Sequence, residues 1–168
     1  SIYTKLALET IVEYVKNGSV KKSKSEEIPN KLKEKKACFV SLHKNENLRG
    51  CIGTILPYRE NLYEEIQGNA IAAASQDPRF DPVREDELDE LTLSVDILSV
   101  PELIDNIDEL DEKKYGVIVE KNGRKGLLLP NLEGVKDVDE QLEIAKSKAG
   151  IYDDKGMKIY KFTSTRYY

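Results

Sequence analysis

Leu91, Leu93, Val95 and Ile97 alternate with Thr92, Ser94 and Asp96. That period of two predicts a strand with one face in a core and the other polar, and it ends before Pro101. A second constraint is Asn122-Gly123, set between the apolar-rich segments 115–120 and 125–129. Both central positions of a type I′ turn need positive φ, so this dipeptide predicts a hairpin. Residues 37–42 and 51–56 are two more apolar runs, separated by the polar His43-Lys44-Asn45-Glu46-Asn47, and they read as another hairpin. Its register is not fixed by pattern, so whether Cys38 faces Cys51 stays open. Residues 158–164 alternate as a final strand.

Three segments carry helical spacing instead. Leu8, Ile11, Val12 and Val15 share one face of a helix over 2–16 that Gly18 stops. Leu62, Ile66, Ala70 and Ala73 mark a buried helix, and its small run Ala70, Ala72, Ala73 and Ala74 permits close approach to a neighbour. Val138, Leu142, Ala145 and Ala149 form a third stripe, ending at Gly150. Strands and helices do not alternate regularly, which excludes a doubly wound fold. The class is α+β, mainly an antiparallel sheet flanked by helices, with the N-terminal and C-terminal parts sharing one sheet.

At 168 residues the chain suits a single domain over 1–168 with a core of its own. Its two cysteines, Cys38 and Cys51, sit in apolar surroundings, and no basic segment precedes an apolar one at the N-terminus. The expectation is a cytoplasmic protein with reduced thiols. No apolar run nears the roughly 20 residues that cross a bilayer, so no membrane is expected. With 26 basic against 31 acidic residues and a net charge of −5, nothing draws in a polyanion, and nucleic acid is not an expected partner. The lysine-rich 21–36 segment has no interleaved aromatics and reads as a solvated connection, with Ile28 and Leu32 pinning a short turn after Pro29.

One stretch is too odd for packing alone. Asn47-Leu48-Arg49-Gly50-Cys51-Ile52-Gly53-Thr54 puts a cation, a thiol and two glycines inside a strand, where glycine is unfavourable unless something approaches the backbone closely. A bend at Gly50 turns Arg49 toward a cleft, where its planar guanidinium can hold a carboxylate or phosphate with two hydrogen bonds. Asp77-Pro78-Arg79-Phe80-Asp81-Pro82 is a second site-like segment, stiffened by prolines. Arg49 and Arg79 are expected to face one cleft, with Asp77 orienting one of them. Equally, Asp77 and Arg79 can simply tie the loop down while Phe80 plugs the core.

Cys51 beside a cation is a candidate nucleophile, against the alternative of a small packed side chain. The only imidazole is His43, in a loop. No metal-ligand spacing and no phosphate loop is present, so neither metal nor cofactor is expected. Asp96 is the one strand carboxylate to watch, with an ion pair as the plainer account.

Leu48–Thr54 resembles the signature LRGCIGT of the AMMECR domain family, whose prokaryotic members are called AmmeMemoRadiSam system protein A. Ala72-Ala73, Asp77-Pro78-Arg79-Phe80, the run from Leu91 to Ser99, Gly126-Leu127-Leu128-Leu129-Pro130 and Lys148-Ala149-Gly150 follow in that family's order. One departure is Val135, where the family usually carries a tryptophan after the glycine matching Gly134. The resemblance implies a larger lobe holding both termini, about 1–107 plus 151–168 here, a smaller lobe at about 108–150, and the LRGCIG segment at the cleft between them. It further implies association with a Memo-type protein and a radical S-adenosylmethionine enzyme in a modification pathway, but no settled activity. Two function classes stand. One is a module binding a protein or large substrate through Leu48, Arg49, Gly50, Cys51, Ile52, Gly53, Asp77 and Arg79; the other is a cysteine-dependent transferase or hydrolase using Cys51. Neither class sets the oligomeric state.

Overall fold

The computed structural model describes residues 1–168 and resolves into two compact units, residues 1–97 with 165–168 and residues 98–164. Each is α+β with one four-stranded sheet. In the first unit, β1 (Cys38–Lys44), β2 (Asn47–Gly53), β3 (Leu91–Leu98) and β8 (Ser164–Tyr167) stand in the order β2-β1-β3-β8. β1 pairs antiparallel with both β2 and β3. Helices α1 (Ile2–Asn17) and α2 (Leu62–Ser75) complete the unit.

The alternation in β3 does what its pattern requires. Val95 pairs with Val40 of β1, and both are buried with Ile11 of α1 and Ile66, Ala70 and Ala73 of α2 in one core. Ile28 and Leu32 are also buried there, pinning the otherwise polar 21–36 connection. In α1, however, the buried face is Leu6, Ala7, Thr10 and Ile11, while Leu8 is exposed. Of the expected stripe, Ile11 is buried and Val12 and Val15 pack on this core, so Leu8 alone falls outside it, and its place is taken by Thr10. Its hydroxyl donates to the Leu6 carbonyl at 2.8 Å, so it enters the core with its hydrogen bond already made.

The turn between β1 and β2 is also tighter than its sequence announced. Strand pairing continues to Lys44 opposite Asn47, leaving only Asn45 and Glu46 in the turn, at φ 52° and 68°. β2 therefore begins at Asn47 and ends at Gly53, instead of spanning 51–56. Cys38 stands opposite Ile97, and Cys51 opposite Ser41, so the two thiols are not cross-strand partners.

In the second unit, β4 (Glu102–Leu103), β5 (Gly116–Lys121), β6 (Arg124–Leu128) and β7 (Lys158–Phe162) stand in the order β4-β7-β5-β6. Asn122 and Gly123, both at positive φ, form the β5–β6 turn as their pairing predicts. Helix α3 (Val138–Ala149) packs on β5 and β6. A Cβ on Gly126 would overlap the Ala145 carbonyl. Val117, Val119, Leu142 and Ala145 form the second core, with Val135 packed at its margin.

The single strand expected at 158–164 is in fact two. Residues 158–162 pair with β5 in the second sheet, whereas Ser164–Tyr167 joins β3 in the first. The terminal segments thus do share a sheet, but through β8 alone. No helix is long and apolar enough to cross a membrane.

Candidate functional site

The glycine-flanked strand owes its shape to one extra residue. Leu42 pairs with Gly50 and His43 with Leu48, so Arg49 is the unpaired residue of a β-bulge. A bulge bends its strand and re-aims a side chain, and here the side chain is the arginine. Gly50 is buried against α2, where a Cβ would run into the Ala73 carbonyl. The small residues of α2 and the missing side chain of Gly50 thus answer one another. Gly53 faces Phe39, whose ring occupies the space of the absent Cβ.

Freed by the bulge, Arg49 reaches Glu87 in the 3₁₀ turn Glu85–Glu90. Its Nε donates to Glu87 Oε2 at 2.9 Å and its Nη2 to Oε1 at 3.0 Å, a two-pronged pair of the strong kind. Lys44 Nζ adds a bond to Oε2 at 3.3 Å, and the Arg84 backbone N–H donates to Oε1 at 3.1 Å. Glu87 is buried with four donors on two oxygens. The Arg49 guanidinium above all holds its carboxyl down to about 2, against an ordinary 4.5.

Asp77 does the same for Arg79. Arg79 Nε donates to Oδ1 at 3.0 Å and Nη2 to Oδ2 at 2.7 Å. The backbone N–H of Arg79 donates to Oδ1 at 3.1 Å, and that of Cys51 to Oδ2 at 3.0 Å. These donors, Arg79 first, keep the buried Asp77 carboxyl well below the usual carboxylate range. Arg79 Nη2 also reaches the Cys51 carbonyl at 3.4 Å. Asp77 therefore clamps the loop 77–82 to β2, and it orients Arg79.

Both arginines then open on one pocket of about 660 Å³, whose wall also includes Phe80, Pro82 and Arg84. Arg49 and Arg79, expected to face one cleft, both line this pocket of the first unit. The use of their forks differs from that expectation. In each arginine the Nε–Nη2 edge is closed on a carboxylate of the same chain, leaving Nη1 for anything that enters. Arg79 and Arg84 are exposed, and Arg49 is mostly covered.

Cys51 belongs to the Asp77–Arg79 half of this arrangement, its N–H on Asp77 and its carbonyl on Arg79. Its thiol is half-buried, 3.3 Å from the Ser41 hydroxyl. His43 stands opposite Leu48 and Thr92, and no hydrogen bond joins it to Cys51. Leu48 is exposed at the edge of the segment, while Ile52 packs on the core. Cys38 is fully buried beside Asn69, and desolvation pushes its thiol up to about 12. Asp96 takes Arg166 of β8 on both oxygens, at 2.9 and 3.2 Å, as an ion pair. No three His, Cys, Asp or Glu side chains gather to hold a metal ion.

Glu87, Lys44 and Arg84 were not foreseen. Glu87 lies in the acidic run Glu85-Asp86-Glu87, and nothing in that run marks which carboxylate turns inward.

Comparison with known proteins places this geometry in a family. A protein of Thermotoga maritima is 55% identical over 98% of this chain and 96% of its own length. Protein CA_C1420 of Clostridium acetobutylicum is 50% identical over 98% of the chain, which spans only 35% of that longer protein. The crystal structure of the uncharacterized protein PH0010 from Pyrococcus horikoshii superposes with a TM-score of 0.87 at 35% identity, covering 98% of this chain and 88% of that one. The AMMECR1 family model matches residues 4–167, and this chain belongs to the AMMECR1 family.

Proposed function

We propose that this AMMECR1 domain is a binding module whose Arg49–Arg79–Arg84 pocket takes an acidic segment of a protein partner. The observation that carries this reading is the convergence of three guanidinium groups on one open pocket, two of them already oriented by buried carboxylates. Glu87 holds Arg49 and Asp77 holds Arg79, each by two bonds, while Arg84 makes one contact with the equally exposed Asp86. Donors fixed in advance lose little side-chain freedom when they meet a partner. Phe80 and Pro82 add apolar wall for the partner's stem. Memo-type and radical S-adenosylmethionine proteins, which the family resemblance brings in, are the first partners to try, in a cytoplasmic setting where both thiols stay reduced. Nucleic acid is not a partner in this reading, given the net charge of −5.

The test is titration of a fluorescent glutamate-rich peptide, and then of each purified partner, into the parent chain and into Arg79→Glu and Arg84→Glu. Binding that falls at least about tenfold in either variant and weakens with salt supports the module. Equal binding by all three chains sinks it.

A second reading keeps Cys51 as the nucleophile of a transferase or hydrolase. It is favoured by the half-exposed thiol and by Arg79 on the same peptide unit. Against it stands the hydroxyl of Ser41, where a base is needed.

A further inference from the structure

The C-terminal end of α1, the 19–23 segment and the first half of α2 enclose a separate pocket of about 410 Å³, sharing no residue with the arginine pocket above. That volume suits a small ligand. Arg59 forms its charged wall in an unusual way. Its guanidinium lies over Gly68, with Cζ the nearest atom to where a Cβ would stand, so the missing side chain is what admits it. Its Nη1 is tied to Glu65, a fully buried carboxylate that also accepts the Tyr58 backbone N–H at 2.7 Å. No protein group accepts from Nε or Nη2. This is the reverse of Arg49 and Arg79, whose Nε–Nη2 edges are spent internally. The edge that binds carboxylates and phosphates with two parallel bonds is therefore held rigid and left open.

The rest of the wall fixes what such an anion carries. Tyr14, Tyr63 and Ile71 supply apolar and aromatic surface, Lys22 a second cation, and Glu64 is the one acid in the lining. Tyr63 is itself set in place, its hydroxyl 2.7 Å from Ser23 Oγ and 3.5 Å from Gln67 Nε2. The 19–23 segment is fastened to α1 as well, through the Lys21 N–H to Glu13 Oε1 at 3.0 Å. Bonds within the chain thus brace the pocket wall on both sides.

We propose that this pocket binds a small oxyanion attached to an aromatic ring, the anion on the Arg59 Nε–Nη2 edge and Lys22, the ring against Tyr14 and Tyr63. Phenyl phosphate and benzoate are the probes, with inorganic phosphate and phenol as the halves of the chemistry, each titrated into labelled protein and followed by amide shifts. Saturable shifts centred on Ser23 and Gly68, with a Kd at or below ~1 mM for phenyl phosphate or benzoate, are expected. Arg59→Lys keeps a cation opposite Glu65 but loses the fork, and weakens binding about tenfold or more. Lys22→Ala, at an exposed position, weakens it several-fold without touching the core. Four results overturn the proposal: no saturation by either ring-bearing anion, shifts centred elsewhere, inorganic phosphate or phenol binding as tightly, or unchanged affinity in both variants.

Discussion

Glu87 and Asp77 are buried carboxylates that keep their charge because each accepts four hydrogen bonds from cations and backbone amides. A carboxyl held below its ordinary range stabilises the fold fully above its unfolded value and loses that contribution as pH falls toward its folded value. For Glu87 the window runs from 4.5 down to about 2. Glu87→Gln is expected to destabilise the protein at neutral pH by about 3 kcal/mol, since Arg49 is left half-buried with its charge uncompensated. The gap between variant and parent narrows as urea unfolding is repeated at lower pH through that window; a gap independent of pH would refute the assignment. The two thiols offer a second check. Burial pushes Cys38 up to about 12, while Cys51 is half-exposed, so iodoacetamide alkylates Cys51 first and leaves Cys38 until the chain unfolds. Labelling of Cys38 as fast as Cys51 in the folded chain would contradict this, and labelling of Cys51 that is already fast well below pH 8 would promote the nucleophile reading. At this scale the sequence exposed Arg49, Cys51, Asp77 and Arg79, because glycines and prolines around them marked a shaped backbone. Glu87 stayed hidden because burial of one acid among several is decided by the bulge at Arg49, a tertiary event.

Helix α2 and strand β2 meet backbone to backbone, and the contact rests on a position without a side chain. Gly50→Ala sets a methyl against the Ala73 carbonyl, which cannot swing aside as a side chain can. A loss of about 3 kcal/mol is expected in denaturant unfolding. Gly123 gives the contrasting case: its φ is 78° and nothing lies within 4 Å of its would-be Cβ, so Gly123→Ala costs only the left-handed backbone penalty, about 1 kcal/mol. Equal losses for the two variants would show that close approach is not what Gly50 serves. Periodicity made α2, α3, β3 and the β5–β6 hairpin readable, since each carries its pattern locally. The β1–β2 turn was not readable in the same way, because glutamate at positive φ is uncommon and Asn45-Glu46 carries no glycine to announce it. In α1 only Leu8 of the expected stripe lies off the core, and Thr10 enters it unannounced because a hydroxyl reads as polar in sequence.

Over the whole molecule the sequence conveyed an α+β class with antiparallel pairing, yet not the partition into sheets. The pattern across 158–167 looks continuous, and only long-range pairing divides it between β7 and β8. That division yields a prediction about independence. Residues 98–164 form a contiguous unit with its own sheet and its own core of Ile104, Val117, Val119, Leu142 and Ile151. Residues 1–97 are not self-sufficient in the same sense, because β8 supplies the sheet's outer strand and Arg166 compensates the buried Asp96. Excised 98–164 is therefore expected to melt cooperatively by circular dichroism, though at low stability, since a core of this size rarely supplies more than about 3–5 kcal/mol. Excised 1–97 leaves a buried carboxylate without its partner, at a cost of about 3–5 kcal/mol, and is expected to lose cooperative melting. Asp96→Asn in the 1–97 fragment removes that uncompensated charge and should restore part of the transition. A 98–164 fragment without a cooperative melt would mean that its core cannot hold a fold alone. A 1–97 fragment as stable as the intact chain would mean that β8 and Arg166 are dispensable to the first sheet.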